Sequence, residues 1–127
     1  MTLNEFSATI ESLTGIDAIH IAQRSNTIAT ECGSGERENQ LFDTLASHGL
    51  EEQYADLTDE LIPKIEFNPS IASLPYAIRK GLRDAVSLGC AAITEQATGS
   101  TSSSLYLEVF RAPVPPALPA ASPQFSV

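Results

Sequence analysis

The sequence predicts an α+β fold in which a small antiparallel sheet packs against helices. Two short runs rich in isoleucine and threonine, 18–23 and 27–32, are typical of paired strands, and segment 105–111 alternates like a third strand. Amphipathic helical patterns fill much of the chain between them. The 127 residues suit one compact domain, which we place at 1–111.

A helix is predicted at the start of the chain. Thr2 and Glu5 have the spacing of a capping box, in which each side chain accepts a hydrogen bond from the other residue's backbone. Phe6 and Ile10 follow four residues apart, on the face that would be buried. Gly15 is expected to end this helix, since glycine commonly follows the last helical turn.

The two β-like runs are predicted to form a hairpin through a turn at 24–26. In this register His20 lies opposite Glu31, and Cys32 ends the second strand. A histidine oriented by a carboxylate is the arrangement of a general base, so His20, Glu31 and Cys32 could serve a small enzyme or a small-molecule site. A cross-strand polar pair accounts for the histidine and the carboxylate without catalysis, and both interpretations stay open.

Two helices, at 36–48 and 50–62, are predicted after the hairpin. The second has a single apolar stripe, formed by Leu50, Tyr54, Leu57 and Leu61. Four carboxylates project from its other side, those of Glu52, Asp56, Asp59 and Glu60. Segment 36–66 carries nine acidic residues against Arg37 and Lys64, a net charge of −7. This excess predicts an acidic surface that is either simply solvated or docks a basic partner.

A long helix is predicted over 74–96, with a proline tolerated in its first turn. Gly81 and Gly89 would each cost it about 1 kcal/mol relative to alanine. This cost indicates that another backbone approaches closely along a strip of small residues, Gly81, Ala85 and Gly89. The approaching element is either the sheet of the same chain or the same helix of a second copy.

The only basic cluster, Arg79, Lys80 and Arg83, lies on the outer face of this long helix. These side chains could fold back onto the acidic helix, in which case both clusters would be structural. A metal site on the acidic helix is disfavoured, because carboxylates spread over two turns do not converge on one cation. No metal or cofactor is predicted.

The end of the chain contains a predicted strand and a tail. Segment 105–111 places Tyr106 and Phe110 on one face, and both of its faces are largely apolar. We therefore expect it to lie inside the sheet or beneath a second copy in a homodimer. Residues 112–127 hold five of the eight prolines and no charged side chain, which is typical of a flexible tail.

Composition limits the partners and the compartment. Seven Lys+Arg against 16 Asp+Glu give a net charge of −9, so the bulk surface is not expected to bind nucleic acid or anionic membrane directly. No apolar run approaches the roughly 20 residues of a membrane span, and no signal-peptide pattern opens the sequence. Two cysteines are too few for a disulfide framework, and a cytoplasmic location is expected.

These features favour a non-enzymatic interaction protein, an adaptor, chaperone or inhibitor whose acidic face binds a basic protein partner. Nucleic-acid-binding proteins are natural targets, because their basic grooves complement a negative surface. Two alternatives stay open. One is the small enzyme or ligand-binding protein that uses His20, Glu31 and Cys32, and the other is a structural subunit of a homo-oligomeric assembly built on the small-residue strip and the last strand.

Overall fold

The computed structural model describes residues 1–32, 34–99 and 104–111. Within these ranges the chain forms helices and no β-strand, so the predicted α+β fold with an antiparallel sheet is wrong and the fold is all-α. The helices are α1 Leu3–Glu11, α2 Gly15–Cys32, α3 Ser34–Ser47, α4 Glu51–Glu66, α5 Pro69–Ala72, α6 Tyr76–Glu95, a 3-10 turn Gln96–Thr98 and α7 Leu105–Glu108. The tail at 112–127, predicted to be flexible, lies outside the described residues.

The helix α2 replaces the predicted hairpin. Its first turn is fixed by a second reciprocal cap, in which Thr14 Oγ1 accepts from the backbone of Asp17 and Asp17 Oδ2 accepts from the backbone of Thr14, both at 3.1 Å. Gly15 therefore begins α2 instead of ending α1, which stops at Ser12. The buried side chains of α2 have helical spacing, at Ala18, Ile21 and Ala22.

The predicted last strand is also wrong, because segment 105–111 forms the short helix α7 followed by turns. Its buried side chains lie at i, i+1, i+3 and i+4, namely Tyr106, Leu107, Val109 and Phe110. This spacing gathers them on one side of a helical turn, whereas a strand would divide them between two faces. The segment thus packs against the core through one apolar side instead of joining a sheet.

The long helix α6 is confirmed and lies at the centre of the fold, in contact with α2, α3, α4 and α7. The close approach indicated by its glycines comes from other side chains of the same chain, and at Gly89 from two aromatic rings. A Cβ atom on Gly89 would lie 2.7 Å from Phe6 Cζ and 3.0 Å from Phe110 Cε2. These two rings meet edge to face with their centroids 5.0 Å apart, so α1 and the turn after α7 pack together against α6 at this glycine.

The helices α3 and α4 are confirmed close to their predicted bounds. Gly49, between them, has a φ of 67°, a conformation that glycine adopts without strain. The helix α4 continues through Pro63 to Glu66, four residues beyond the predicted end at 62. No helix in the described ranges is long and apolar enough to cross a membrane.

Candidate functional site

The helix α4 presents its acidic side to solvent and its apolar side to the core. Leu61 and Ile65 are buried, whereas the predicted partner-binding carboxylates are all exposed, those of Glu52, Asp56, Asp59 and Glu60. Because 100° separates successive residues, Glu52, Asp56 and Asp59 share one stripe and Glu60 lies at its edge. We call these four residues the acidic face of α4.

Six of the seven Lys and Arg side chains, those other than Arg37, are engaged away from the acidic face. The salt bridges of the described residues join Lys64 to Glu11, Lys80 to Asp84, Arg83 to Glu66 and Arg111 to Glu108, at 3.1, 3.0, 3.5 and 2.9 Å. Arg24 and Arg79 donate to backbone carbonyls instead. Within the part of the chain that the structure describes, no carboxylate of the acidic face takes part in a salt bridge.

The basic cluster of α6 does not fold back onto the acidic face, and that structural alternative is wrong. Lys80 pairs within its own helix, with Asp84. Arg83 does reach α4, but it meets Glu66 in the last helical turn, beyond the acidic face. The two clusters therefore remain separate charged surfaces.

Cys90 lies beneath α4 and is chemically protected. Its side chain is fully buried, and burial, followed by the negative charge of Glu60, raises the pKa of the Cys90 thiol to about 12. At neutral pH the group is therefore a thiol and not the nucleophilic thiolate.

The enzyme interpretation of His20, Glu31 and Cys32 depended on the hairpin and loses its geometry with it. All three residues belong to α2, and His20 is exposed beside a shallow groove that also includes Arg24 and Phe110. The backbone of Glu31 lies eleven residues after that of His20 along α2, a rise of about 16 Å, whereas the hairpin would have placed the two residues directly opposite each other. The side chains of Glu31 and Cys32 lie outside what the structure describes.

The residues predicted for an oligomer contact are covered by the chain itself. A Cβ on Gly81 would lie 3.1 Å from Ala22 Cβ of α2, and Phe6 and Phe110 cover Gly89. Ala85, Tyr106 and Phe110 are buried. The close packing along the small-residue strip is thus explained within one chain, and self-association through this strip would require displacing α1, α2 or α7. A homodimer formed elsewhere stays a prediction.

A groove that the sequence did not predict lies between the end of α4, the short helix α5 and the start of α6. Its volume is about 200 Å³, and it is lined by Ile65, Glu66, Ile71, Ala72, Tyr76, Arg79, Lys80 and Arg83. We call it the α5 groove. The sequence features that could have indicated this groove are the basic cluster at 79–83 and the prolines on either side of α5. Its apolar floor, however, depends on how α5 packs against α4 and α6.

A second groove, of about 370 Å³, is larger but offers a different chemistry. It lies where α3 faces α6 and includes Glu38 and Asp84, and the Tyr54 and Ser87 hydroxyls approach to 3.4 Å beside it. Among the described residues, no three histidine, cysteine or acidic side chains converge as metal ligands would. No protein-family model matches the chain, and no curated protein or solved structure is significantly similar to it.

Proposed function

We propose that this protein is a non-enzymatic interaction protein, an adaptor, chaperone or inhibitor, whose acidic face docks a basic segment of a partner protein. The observation that supports this function is an exposed row of carboxylates while the chain's salt bridges are formed elsewhere. Carboxylates without an internal counterion keep their field available to an approaching cation, which accelerates association and weakens with salt.

The stability of α4 does not by itself account for this surface. Glu52 lies in the first turn, where the partial positive charge of the helix N-terminus favours an acid. Asp56 and Asp59 lie further along the helix, beyond that effect. Like charges four residues apart, such as Glu52 and Asp56, destabilise an isolated helix. Cations from a partner would relieve this repulsion, whereas solvent only screens it.

The class of partner follows from the shape and charge of the surface. A stripe of three carboxylates over two helical turns suits an extended row of lysine or arginine side chains, such as those that line a nucleic-acid-binding groove. A basic nucleic-acid-binding protein in the cytoplasm is therefore the partner that we favour. The fully buried, free thiol of Cys90 is compatible with a reducing compartment.

The proposal is tested by capturing partners from the native host at low salt and comparing two matched variants. The first changes the stripe itself, as Glu52→Gln, Asp56→Asn and Asp59→Asn. Glu60 is left in place because its charge acts on Cys90. The control makes the same change of three charges on α3, as Glu36→Gln, Glu38→Gln and Asp43→Asn.

We expect a basic protein to be captured by the wild-type chain and by the α3 variant, but not by the α4 variant. The purified partner should then bind with an association rate that falls steeply with salt, because the attraction acts between surface charges. If the captured protein binds the α4 variant as well as it binds the wild type, the acidic face is not the contact.

A further inference from the structure

Most of the exposed large apolar side chains of the described residues lie at the end of the molecule around α5. Among the residues that the structure describes, four large apolar side chains are exposed. Three of them belong to this end, Ile16 at 69%, Phe67 at 83% and Tyr76 at 67%. Phe67 is the residue that follows α4, and Tyr76 begins α6. Scattered exposed side chains are ordinary, whereas a group at one place marks a contact surface.

Two contacts place these residues around α5. Asn68, next to Phe67, donates from Nδ2 to the carbonyl of Leu13 at 2.9 Å. A Cβ on Gly15, next to Ile16, would lie 3.2 Å from the carbonyl oxygen of Ser70 in α5. The start of α2 therefore lies against α5, and Ile16, Phe67 and Tyr76 flank the end of the bundle that holds the α5 groove.

The α5 groove combines an apolar floor with cations on its wall. Ile65 and Ile71 are each 2% exposed and form the floor of the groove. The side formed by α6 is lined by Arg79, Lys80 and Arg83. These three are nearly half of the seven Lys+Arg in the chain. A groove with this lining favours an occupant that carries both an apolar group and a carboxylate.

Arg79 is already oriented to receive that carboxylate. Its Nε donates to the carbonyl oxygen of Leu74 at 3.0 Å, and its guanidinium carbon lies 5.6 Å from the centre of the Tyr76 ring. No carboxylate of the described residues pairs with Arg79. The hydrogen bond at Nε leaves the outer edge of the guanidinium, with its two terminal nitrogens, for a bidentate carboxylate contact.

The other two cations would exchange partners at small cost. Lys80 and Arg83 pair with Asp84 and Glu66 through side chains that are 44–62% exposed. Exposed salt bridges of this kind contribute only about 0–1 kcal/mol each, so an incoming carboxylate can replace them. The volume of the groove limits the size of the apolar group that an occupant can insert. About 200 Å³ is below the roughly 300–1,000 Å³ of small-molecule sites and suits a single large side chain.

We infer that the α5 groove is a docking site for a short acidic peptide segment of a partner protein, with one large apolar side chain in the groove and a neighbouring carboxylate on Arg79. This surface is distinct from the acidic face and selects the opposite charge. A membrane surface fits less well, because binding to many anionic headgroups needs a cluster of unpaired cations, whereas Glu66 and Asp84 lie among the three cations here and leave a local charge of only +1 on a chain of −9. A single carboxylate needs only Arg79.

The test is a selection of random twelve-residue peptides displayed on phage, with the full chain as target. Enriched peptides are then synthesised with a fluorescent label and measured by anisotropy against three variants. Arg79→Gln removes the carboxylate contact, and Ala72→Glu places a negative charge at an exposed position of the groove. Arg37→Gln is the matched control, because it removes one exposed cation from α3, away from the groove.

We expect the enriched peptides to carry Asp or Glu close to one Leu, Phe or Trp. Arg79→Gln and Ala72→Glu should each weaken binding by about tenfold or more, since a charge-assisted hydrogen bond is lost or a repulsion is added. Arg37→Gln should change it by less than about twofold. Circular dichroism of the variants checks that each retains the helical content of the wild type.

Four results would overturn the inference. They are a selection without enrichment, a selection in which no enriched peptide carries an acidic residue, and acidic peptides that bind Arg79→Gln as tightly as the wild type. The fourth is an occupant of another class. Binding to phosphatidylserine vesicles that Arg79→Gln abolishes would assign the groove to a membrane, and self-association that Ala72→Glu abolishes would assign it to a second copy of the chain.

Discussion

The two halves of α6 belong to the same helix but contact different surroundings. From Gly89 to Glu95 every residue is buried, and the rings of Phe6 and Phe110 pack against Gly89. From Tyr76 to Arg83 most side chains are exposed, and the cations among them line the α5 groove. The second half therefore packs into the core, whereas the first half presents exposed side chains, among them those of the proposed docking site. Substitutions in the two halves should therefore separate stability from binding.

The largest effect that we expect is a slower reaction of the Cys90 thiol with alkylating reagents, because Cys90 lies in the buried half of α6. Because burial raises the pKa of the thiol from 9.0 to about 12, the folded chain holds on the order of a thousandfold less thiolate at neutral pH than the unfolded chain. Alkylation of the Cys90 peptide, followed by mass spectrometry, should be slower in the native protein by two or more powers of ten. A native rate within tenfold of the rate in urea would show that this half of α6 opens to solvent.

The same thiol gives stability a pH dependence of known sign. Above pH 9.0 the unfolded chain loses the Cys90 proton while the folded chain keeps it. The contribution of this group is therefore complete below pH 9.0 and is lost as the pH rises toward about 12. Urea unfolding at a series of alkaline pH values should show the decline, and Cys90→Ala should flatten it even though its overall stability is lower.

The next effect is a contrast between glycines. In Gly89→Ala the new methyl group would lie 2.7 Å from the ring of Phe6, which is fully buried and cannot move aside without disturbing Phe110. We expect a loss of about 1–3 kcal/mol in the free energy of unfolding, because overpacking outweighs the helix propensity of alanine. Gly81→Ala, in the other half, meets only Ala22 at 3.1 Å and should cost less.

Gly35→Ala on α3 is the control for this contrast. Nothing lies within 4 Å of its Cβ position, so the substitution should be neutral or should stabilise the chain by up to about 1 kcal/mol. Thermal and urea unfolding of the three variants measure the order. Equal stabilities for Gly89→Ala and Gly35→Ala would contradict the tight packing of the buried half.

A smaller effect concerns α2, which lies against the first half of α6 through Ala22 and Gly81. Thr14→Ala removes the cap of α2 and should cost about 1 kcal/mol of unfolding free energy. Thr27→Ala is the matched control, because that hydroxyl bonds only to the carbonyl of Gln23 within the helix. The two variants are compared by urea unfolding. If both lose the same stability, the Thr14 cap does not fix the start of α2.

The capping boxes also explain which part of the fold the sequence predicted. Thr2 and Glu5 correctly placed α1, and the identical spacing of Thr14 and Asp17 would have placed α2. The prediction followed the β-propensity of the isoleucine and threonine residues instead. In the folded chain, burial of side chains at helical spacing overrides that propensity. The short segment 105–111 was wrongly assigned to a strand, because four of its apolar residues suit a strand or a helical turn equally well until Phe6 and Gly89 supply the surface.

The two candidate sites could be predicted from the sequence to different degrees, because one depends on a single helix and the other on several packed elements. The acidic face follows from the periodicity of α4 alone, so Glu52, Asp56 and Asp59 were placed correctly on one exposed side. The α5 groove needs three elements that are distant in sequence. The basic residues were recognised as a cluster, but the orientation of Arg79 by the Leu74 carbonyl and the Tyr76 ring is visible only once α5 and α6 are in place.

The smallest effect on stability, and the sharpest test of the comparison, comes from removing the cations of the exposed half together, as Arg79→Gln, Lys80→Gln and Arg83→Gln. Their two salt bridges are exposed, and Arg79 contributes one hydrogen bond at the surface. We expect the free energy of unfolding to fall by less than about 1 kcal/mol, while binding of the selected peptides is lost. Urea unfolding and anisotropy of the same preparation measure both. A loss of stability as large as that of Gly89→Ala would mean that these cations hold α4, α5 and α6 together, and the two halves of α6 would then share one structural role.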